Sequence, residues 1–121
     1  MGLGLKTTLD IIKIKKLSKP IVKKKEWSIV DMWYNTVDKN PSKTAIIFGD
    51  KHMSYKELDN LSNKIGNFAK DIGLKKNSVC ALMMLNCPEY VAFWLGLAKI
   101  GAITGLINTN LSGSPLTHCL E

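Results

Sequence analysis

The sequence predicts an α/β fold, and the main reason is a strand–helix–strand pattern between residues 78 and 111. The apolar runs VCALMML and AITGLI lack alternation, which is typical of strands buried on both faces of a parallel sheet. The segment between them, PEYVAFWLGLAKIG, has proline where a helix begins and glycine where it ends. We therefore predict a right-handed βαβ unit within an incomplete, mainly parallel sheet.

A helix is predicted before this unit, beginning after residue 28. Ser28 and Asp31 have the spacing of a capping box, which satisfies two free N–H groups at a helix start. Trp27 precedes the cap and is expected to pack on Met32 as a hydrophobic staple. The Asn-Pro pair at 40–41 is expected to end the helix.

A β-hairpin and a second helix are predicted next. Strand 43–48 and residues 52–54 flank a turn at Gly49, and Ser54 with Glu57 forms another capping box. The helix after it has one apolar stripe, expected to pack in the core. The stripe consists of Leu58, Leu61, Ile65, Phe68, Ala69 and Ile72.

The positive charge is concentrated in a basic leader, residues 1–26, that precedes the predicted domain at residues 27–121. Residues 1–25 contain eight lysines and one aspartate, whereas the remaining chain has nine lysines and nine acids. Aliphatic residues alternate with these lysines, a composition that suits either an anionic membrane surface or a solvated tail. Nucleic acid is disfavoured because the leader has no aromatic residue and the chain has no arginine. The lysines predicted to contact a membrane surface are Lys13, Lys15, Lys16, Lys23, Lys24 and Lys25.

Two other readings of the sequence are disfavoured. The apolar stretch 91–107 has Lys99 near its middle and is shorter than the roughly 20 residues of a spanning helix. Zinc binding by the three cysteines and His118 is disfavoured because their separations match no common metal-binding spacing. We expect reduced thiols, with Cys80 and Cys119 buried in apolar runs.

A last helix is predicted near the end of the sequence. Ser114 is expected to cap it, Pro115 to occupy its first position, and Leu116, Cys119 and Leu120 to start its apolar face. So short a helix is marginal without further turns. Two apolar parallel strands also need more strands and helices around them. We therefore expect the chain to be part of a larger domain and to fold poorly alone.

Residues 27–121 resemble the N-terminal region of AMP-forming acyl-CoA synthetases. The resemblance rests on AIIFGDKHMSYKELDNLSNKIGNFAKDIGLKKNSV and on NCPEYVAFWLGLAKIGAI. EYVAFWLGLAKIGA followed by GLINTNLSGSPLTHCL is similar to the fatty acid transport protein and very-long-chain acyl-CoA synthetase branch. That branch often has an arginine where this chain has Ser112.

The resemblance implies the N-terminal portion of the large adenylate-forming domain of a fatty acid–CoA ligase. Such enzymes use ATP and magnesium to form an acyl-adenylate, then transfer the acyl group to coenzyme A. It also implies a fatty acid substrate, the remainder of the synthetase chain as a partner, and association with the endoplasmic reticulum or plasma membrane.

The residues that such chemistry requires are not found in this sequence. It has no Gly/Ser/Thr-rich loop with a lysine for the triphosphate, and the segment 112–115, SGSP, is interpreted as a helix lead-in. The G-x-S-x-G and strand-linked G-x-G-x-x-G motifs of other enzyme classes do not occur either. We therefore assign no catalytic, cofactor-binding or metal residue, and we expect these 121 residues alone to be inactive.

Three asparagines follow the predicted parallel strands. Asn86, Asn108 and Asn110 lie at the carboxyl ends of these strands, where open α/β sheets bind ligands. They are candidate ligand-lining residues, although asparagine at such positions commonly satisfies loop backbone instead. The alternative function is a non-catalytic membrane-surface or regulatory binding module derived from the same fold.

Overall fold

The computed structural model describes residue 13 and residues 28–121. Lys13 is exposed. The other candidate membrane-contact lysines and the predicted staple of Trp27 lie outside the described residues. From residue 28 onward the order is α1 (Ile29–Lys39), β1 (Thr44–Phe48), β2 (Lys51–Ser54), α2 (Tyr55–Asp71), β3 (Val79–Leu82), α3 (Pro88–Lys99), β4 (Ile103–Leu106) and α4 (Gly113–Leu120).

Both predicted capping boxes are confirmed. At the start of α1 the Asp31 N–H donates to Ser28 Oγ at 3.3 Å, and the Ser28 N–H donates to Asp31 Oδ2 at 2.8 Å. Ser54 and Glu57 make the same two bonds at the start of α2, at 3.2 and 2.8 Å. The bonds from the Ser54 hydroxyl and N–H lower the pKa of Glu57. Local sequence therefore determines where both helices begin.

The predicted hairpin and βαβ unit are also confirmed. β1 and β2 pair antiparallel, with Ile47 opposite His52. β3 and β4 pair parallel, with α3 as the connection, and each strand has four residues rather than the seven and six expected. Pro88 begins α3, and Gly101 after it has a φ of +75°, which glycine adopts without strain.

The hydrophobic core lies where α2 and α3 pack together. Leu58, Ile65, Ala92 and Leu95 form its buried centre. The two helices approach closely at Gly66 and Gly96. A Cβ added to Gly96 would lie only 2.6 Å from the Ser62 carbonyl oxygen. The absence of side chains at this crossing lets the two backbones touch.

The prediction that both strands of the parallel pair are buried on both faces is wrong for this chain. Leu82 is buried, whereas Val79 is 72% exposed and Ile103 is 54% exposed. Phe68 and Ile72 of the α2 stripe are exposed as well. The reason is that no other element among residues 28–121 covers these side chains, so an apolar pattern alone does not establish burial.

The last helix differs from the prediction in its start and its packing. α4 begins at Gly113 after the N-cap Ser112, two residues before Pro115. Proline is tolerated there because a first-turn N–H has no partner within the helix. Cys119, expected to be buried, is exposed, and α4 has no buried residue.

Candidate functional site

A cleft lies at the carboxyl ends of β3 and β4. The Ile107 N–H donates to the Leu82 carbonyl at 3.0 Å, so the two loops leave the sheet side by side. The cleft has a volume of about 370 Å³. Its walls are Met84, Leu85, Asn86 and Tyr90 on one side and Leu106, Ile107, Asn108 and Thr109 on the other.

The structure brings two of the three candidate asparagines together in this cleft. Asn86 and Asn108 both line it, and both are exposed. Asn110 is exposed outside it, and its N–H donates to Asn108 Oδ1 at 3.0 Å. Asn108 therefore combines the two roles considered from the sequence, since it faces the cleft and also holds its own loop.

The lining of the cleft combines hydrogen-bonding groups with apolar side chains. Its polar groups are two asparagine amides, the Thr109 hydroxyl and the Tyr90 phenol, set among apolar side chains. Amides and hydroxyls both donate and accept hydrogen bonds. The cleft thus offers hydrogen-bonding groups beside apolar surface.

The glycine-containing segment 112–115 is a helix lead-in, as the sequence predicts. Segment 112–115 forms the N-cap and first turn of α4, where the Ser112 side chain makes no capping hydrogen bond. No lysine lies in that segment. Within residues 28–121, no three His, Cys, Asp or Glu side chains are placed to hold a metal ion. Cys80 and Cys87 are half-buried, and Cys119 is exposed.

A buried polar cluster, which the sequence reasoning missed, joins the three long helices. The Lys99 ammonium donates to Asp59 Oδ1 at 2.6 Å, to Ser62 Oγ at 2.7 Å and to Asn63 Oδ1 at 2.7 Å. The Trp33 indole N–H of α1 donates to Asp59 Oδ1 at 2.9 Å. The side chains of Lys99 and Asp59 are only 6% and 7% exposed. The pair is therefore a desolvated ion pair whose hydrogen bonds are satisfied.

The charge state of this cluster follows from its contacts. Burial acts to raise the pKa of Asp59, but the hydrogen bonds from Lys99 and Trp33 and the positive charge of Lys99 outweigh it. The pKa of Asp59 is accordingly below its usual value. The sequence feature that could have indicated this cluster was Lys99 itself. A lysine within an apolar helix needs a polar partner when it is buried.

The apolar stretch 91–107 does not form a single helix. The stretch is divided between α3 and β4, with Gly101 between them. Among the described residues, no helix has the length and apolar character that a membrane crossing needs.

Comparison with known proteins identifies the family. A sequence model described as AMP-binding enzyme matches residues 33–121. The chain belongs to the AMP-binding enzyme family. The family resemblance predicted from the sequence is thereby confirmed.

Relatives of the AMP-binding family include proteins named for fatty acid transport and for CoA ligation. Human long-chain fatty acid transport protein 6 is 32% identical over 118 residues, which is 97% of this chain and 19% of that protein. The crotonobetaine/carnitine–CoA ligase of Salmonella paratyphi A is 38% identical over 95 residues, or 74% and 18% of the two chains. The chain thus spans about one fifth of the length of these relatives.

Solved structures agree with this assignment. The anthranilate CoA ligase AuaEII, in complex with anthranoyl-AMP, has a TM-score of 0.73 and 29% identity, covering 78% of this chain and 18% of that chain. The N-terminal domain of FACL13 from Mycobacterium tuberculosis has a TM-score of 0.73 and 27% identity, covering 78% and 24%. The predicted fold, that of the N-terminal part of an adenylate-forming domain, is therefore confirmed.

Proposed function

We propose that this chain is part of a long- or very-long-chain fatty acid–CoA ligase that activates its substrate with ATP through an acyl-adenylate. The observation that supports this best is the match to a long-chain fatty acid transport protein over 97% of the chain. Segments 89–102 and 105–120 add support, because their sequences are similar to the fatty acid branch. The family supplies the reaction class, and these relatives favour the substrate class.

In this proposal the chain supplies scaffold and one wall of a binding cleft, without performing the chemistry. Asn86 and Asn108 would line the cleft with neutral amides. The groups that hold ATP, magnesium and coenzyme A would come from the remainder of the synthetase chain. The exposed face around Val79 and Ile103 supports this division, because it offers apolar surface for that remainder to cover.

The experiment is a ligase assay on the product of the open reading frame that contains this chain. The protein receives ATP, Mg²⁺ and coenzyme A with palmitic acid, lignoceric acid, crotonobetaine or anthranilic acid. Acyl-CoA is measured by mass spectrometry and AMP by chromatography. We expect products from the two fatty acids, and none from the 121-residue chain used as the matched control. Products from crotonobetaine or anthranilate alone, or from no acid, would contradict the proposal.

The lining role of the asparagines has its own test within that assay. Replacing Asn86 with alanine should raise the KM for the acid, because an amide in the cleft wall is lost. Asn110→Ala is the matched control, since its side chain lies outside the cleft and its N–H bond to Asn108 survives. Equal effects of the two variants would remove Asn86 from the proposed lining.

Membrane-surface attachment by the basic leader is a second, separate proposal. Its support is the excess of seven positive charges in residues 1–25, since each lysine near an anionic surface contributes about 1 kcal/mol. The contacts would be made by Lys13, Lys15, Lys16, Lys23, Lys24 and Lys25.

Vesicle sedimentation tests this attachment. Binding to phosphatidylserine vesicles should weaken with salt and fall when residues 1–25 are deleted, with neutral vesicles as the control. Unchanged binding after deletion would refute attachment through the leader. Salt-sensitive vesicle binding by a complete protein that forms no acyl-CoA would instead favour the non-catalytic membrane-surface or regulatory module.

A further inference from the structure

A polar cavity of about 360 Å³ lies between α1, the second half of α2 and the end of α3. It shares no lining residue with the cleft at the strand ends. None of the described residues that line it is acidic. Its polar lining residues are Tyr34 of α1, Asn63, Asn67 and Lys70 of α2, and Lys99 of α3.

One side of this polar cavity is held in place by the buried polar cluster. The Lys99 ammonium donates to Asn63 Oδ1 at 2.7 Å, and the Asn63 amide nitrogen donates to Asp59 Oδ2 at 3.2 Å. Lys99 Nζ also lies 5.2 Å from the centroid of the Tyr34 ring, within the range of a cation–π contact. Asn63 and Tyr34 are therefore oriented before a ligand arrives, which reduces the ordering cost of binding.

The other side of the cavity has polar groups that are available to a ligand. The side chains of Asn67 and Lys70 make no hydrogen bond or ion pair within residues 28–121. The two residues are three positions apart on α2, so their side chains lie on the same face of the helix. An asparagine amide has two N–H donors, and Asn63 uses one of them on Asp59. The cavity thus offers one ammonium and two amide groups.

The charge around the cavity favours an anion. Asp59 compensates Lys99 at 2.6 Å, so the excess positive charge in the lining comes from Lys70. Between residues 55 and 78 the exposed charged side chains are five lysines and two acids, a net charge of +3. An anion that approaches α2 is attracted by this excess.

We propose that the polar cavity is a binding site for the phosphate group of a small organic phosphate or of a lipid headgroup. A phosphate monoester has three strongly accepting oxygens, and lysine binds such a group as a point charge. The cavity volume falls within the range of small-molecule sites, about 300 to 1,000 Å³. Binding at this position is independent of whether the complete protein is a ligase.

Lysine labelling of the complete protein that contains this chain tests the site. An acetylating reagent is applied in glycerol 3-phosphate or in sodium chloride of equal ionic strength, and mass spectrometry measures the acetylation of each lysine. We expect acetylation of Lys70 to slow several-fold where phosphate is bound, because the phosphate covers its ammonium. Lys64 is the internal control, since it is exposed on the same helix and does not line the cavity.

A second arm of the experiment separates the two sources of phosphate. Phosphatidylcholine vesicles that contain phosphatidic acid are compared with vesicles of phosphatidylcholine alone. Protection of Lys70 but not Lys64 by phosphatidic acid, without protection by glycerol 3-phosphate, would assign the site to a lipid headgroup. Protection by glycerol 3-phosphate would assign it to a soluble organic phosphate.

Two matched substitutions on α2 add a carboxylate inside or outside the cavity. Asn67→Asp places the negative charge in the lining and should abolish the protection of Lys70. Asn60→Asp makes the same change at an exposed position outside the lining and should leave the protection intact.

The remaining outcomes overturn the proposal. Absence of Lys70 protection in both arms would show that the cavity binds no phosphate. Equal protection of Lys64 and Lys70 would indicate a general charge effect along α2 rather than a site. Protection that persists in Asn67→Asp, or that is lost equally in Asn60→Asp, would place the phosphate outside the cavity.

Discussion

The two halves of the molecule bury their apolar residues to very different extents. At the contact between α2 and α3, apolar side chains are buried, the backbones touch at Gly96, and the charged pair of Asp59 and Lys99 is hydrogen-bonded. Around β3, β4 and α4, comparably apolar sequence leaves Val79 and Ile103 largely exposed. The difference teaches that hydrophobic pattern predicts the type of element, whereas burial depends on which elements are present to cover it.

The largest effect is expected from breaking the buried ion pair. Lys99→Met should destabilise the chain by about 3–5 kcal/mol, because Asp59 would keep a buried, uncompensated charge. Urea unfolding of the complete protein that contains this chain, followed by tryptophan fluorescence, measures this loss.

The double replacement of the pair provides the matched comparison. Asp59→Leu with Lys99→Met should recover most of the loss, since an apolar pair requires no charge compensation. If the double variant is as unstable as Lys99→Met, the cost lies in lost packing or lost hydrogen bonds to Ser62 and Asn63 rather than in an unpaired charge.

A dependence on pH is expected from the same pair. Because the pKa of Asp59 is lowered in the folded chain, its contribution is fully present above the unfolded pKa of about 4. That contribution is lost as pH falls through the lower folded pKa, when protonated Asp59 leaves Lys99 buried without a counter-charge. Unfolding free energy against pH should fall more steeply for the wild type than for the double variant. An Asp50→Asn change in the exposed hairpin turn should leave the wild-type profile unaltered.

A smaller effect is expected at the helix crossing. Gly96→Ala should cost about 1–3 kcal/mol, because its Cβ would lie 2.6 Å from backbone that cannot move cheaply. Gly105→Ala is the control, since the nearest atom to its added Cβ, the Cys80 carbonyl oxygen, lies 4.0 Å away. Equal losses in urea unfolding would mean that the crossing is looser than the structure shows.

The smallest change in stability is expected on the exposed sheet face. Ile103→Lys should alter unfolding free energy by less than about 0.5 kcal/mol, as is usual for surface positions. It should nevertheless reduce self-association of the isolated chain in sedimentation velocity, because exposed apolar surface promotes association. Unchanged association would show that this face does not mediate self-association.

A sharp, cooperative unfolding transition of a wild-type monomer would contradict our expectation that the chain folds poorly alone.

The two regions also differ in how much of the site could be predicted. The hairpin, the βαβ unit and the two asparagines of the cleft followed from sequence, because strand ends of parallel neighbours meet at one edge. The position of Asn110 outside the cleft did not follow from sequence. Asn108 and Asn110 lie in the same short loop, and the sequence does not tell which of them lines the cleft. The ion pair was missed because its members are 40 residues apart. No local pattern connects Lys99 to Asp59.

What the sequence by itself determined is the set of elements and the family. These elements follow from signals that act over a few residues. The signals are the capping boxes at Ser28 and Ser54 and the proline and glycine residues that separate apolar runs, and they are visible in the sequence. Tertiary structure alone decided which apolar side chains are covered, how Gly96 meets the Ser62 backbone, and that Lys99 neutralises Asp59. Those outcomes depend on contacts between distant segments, whose energies arise only after the helices have packed.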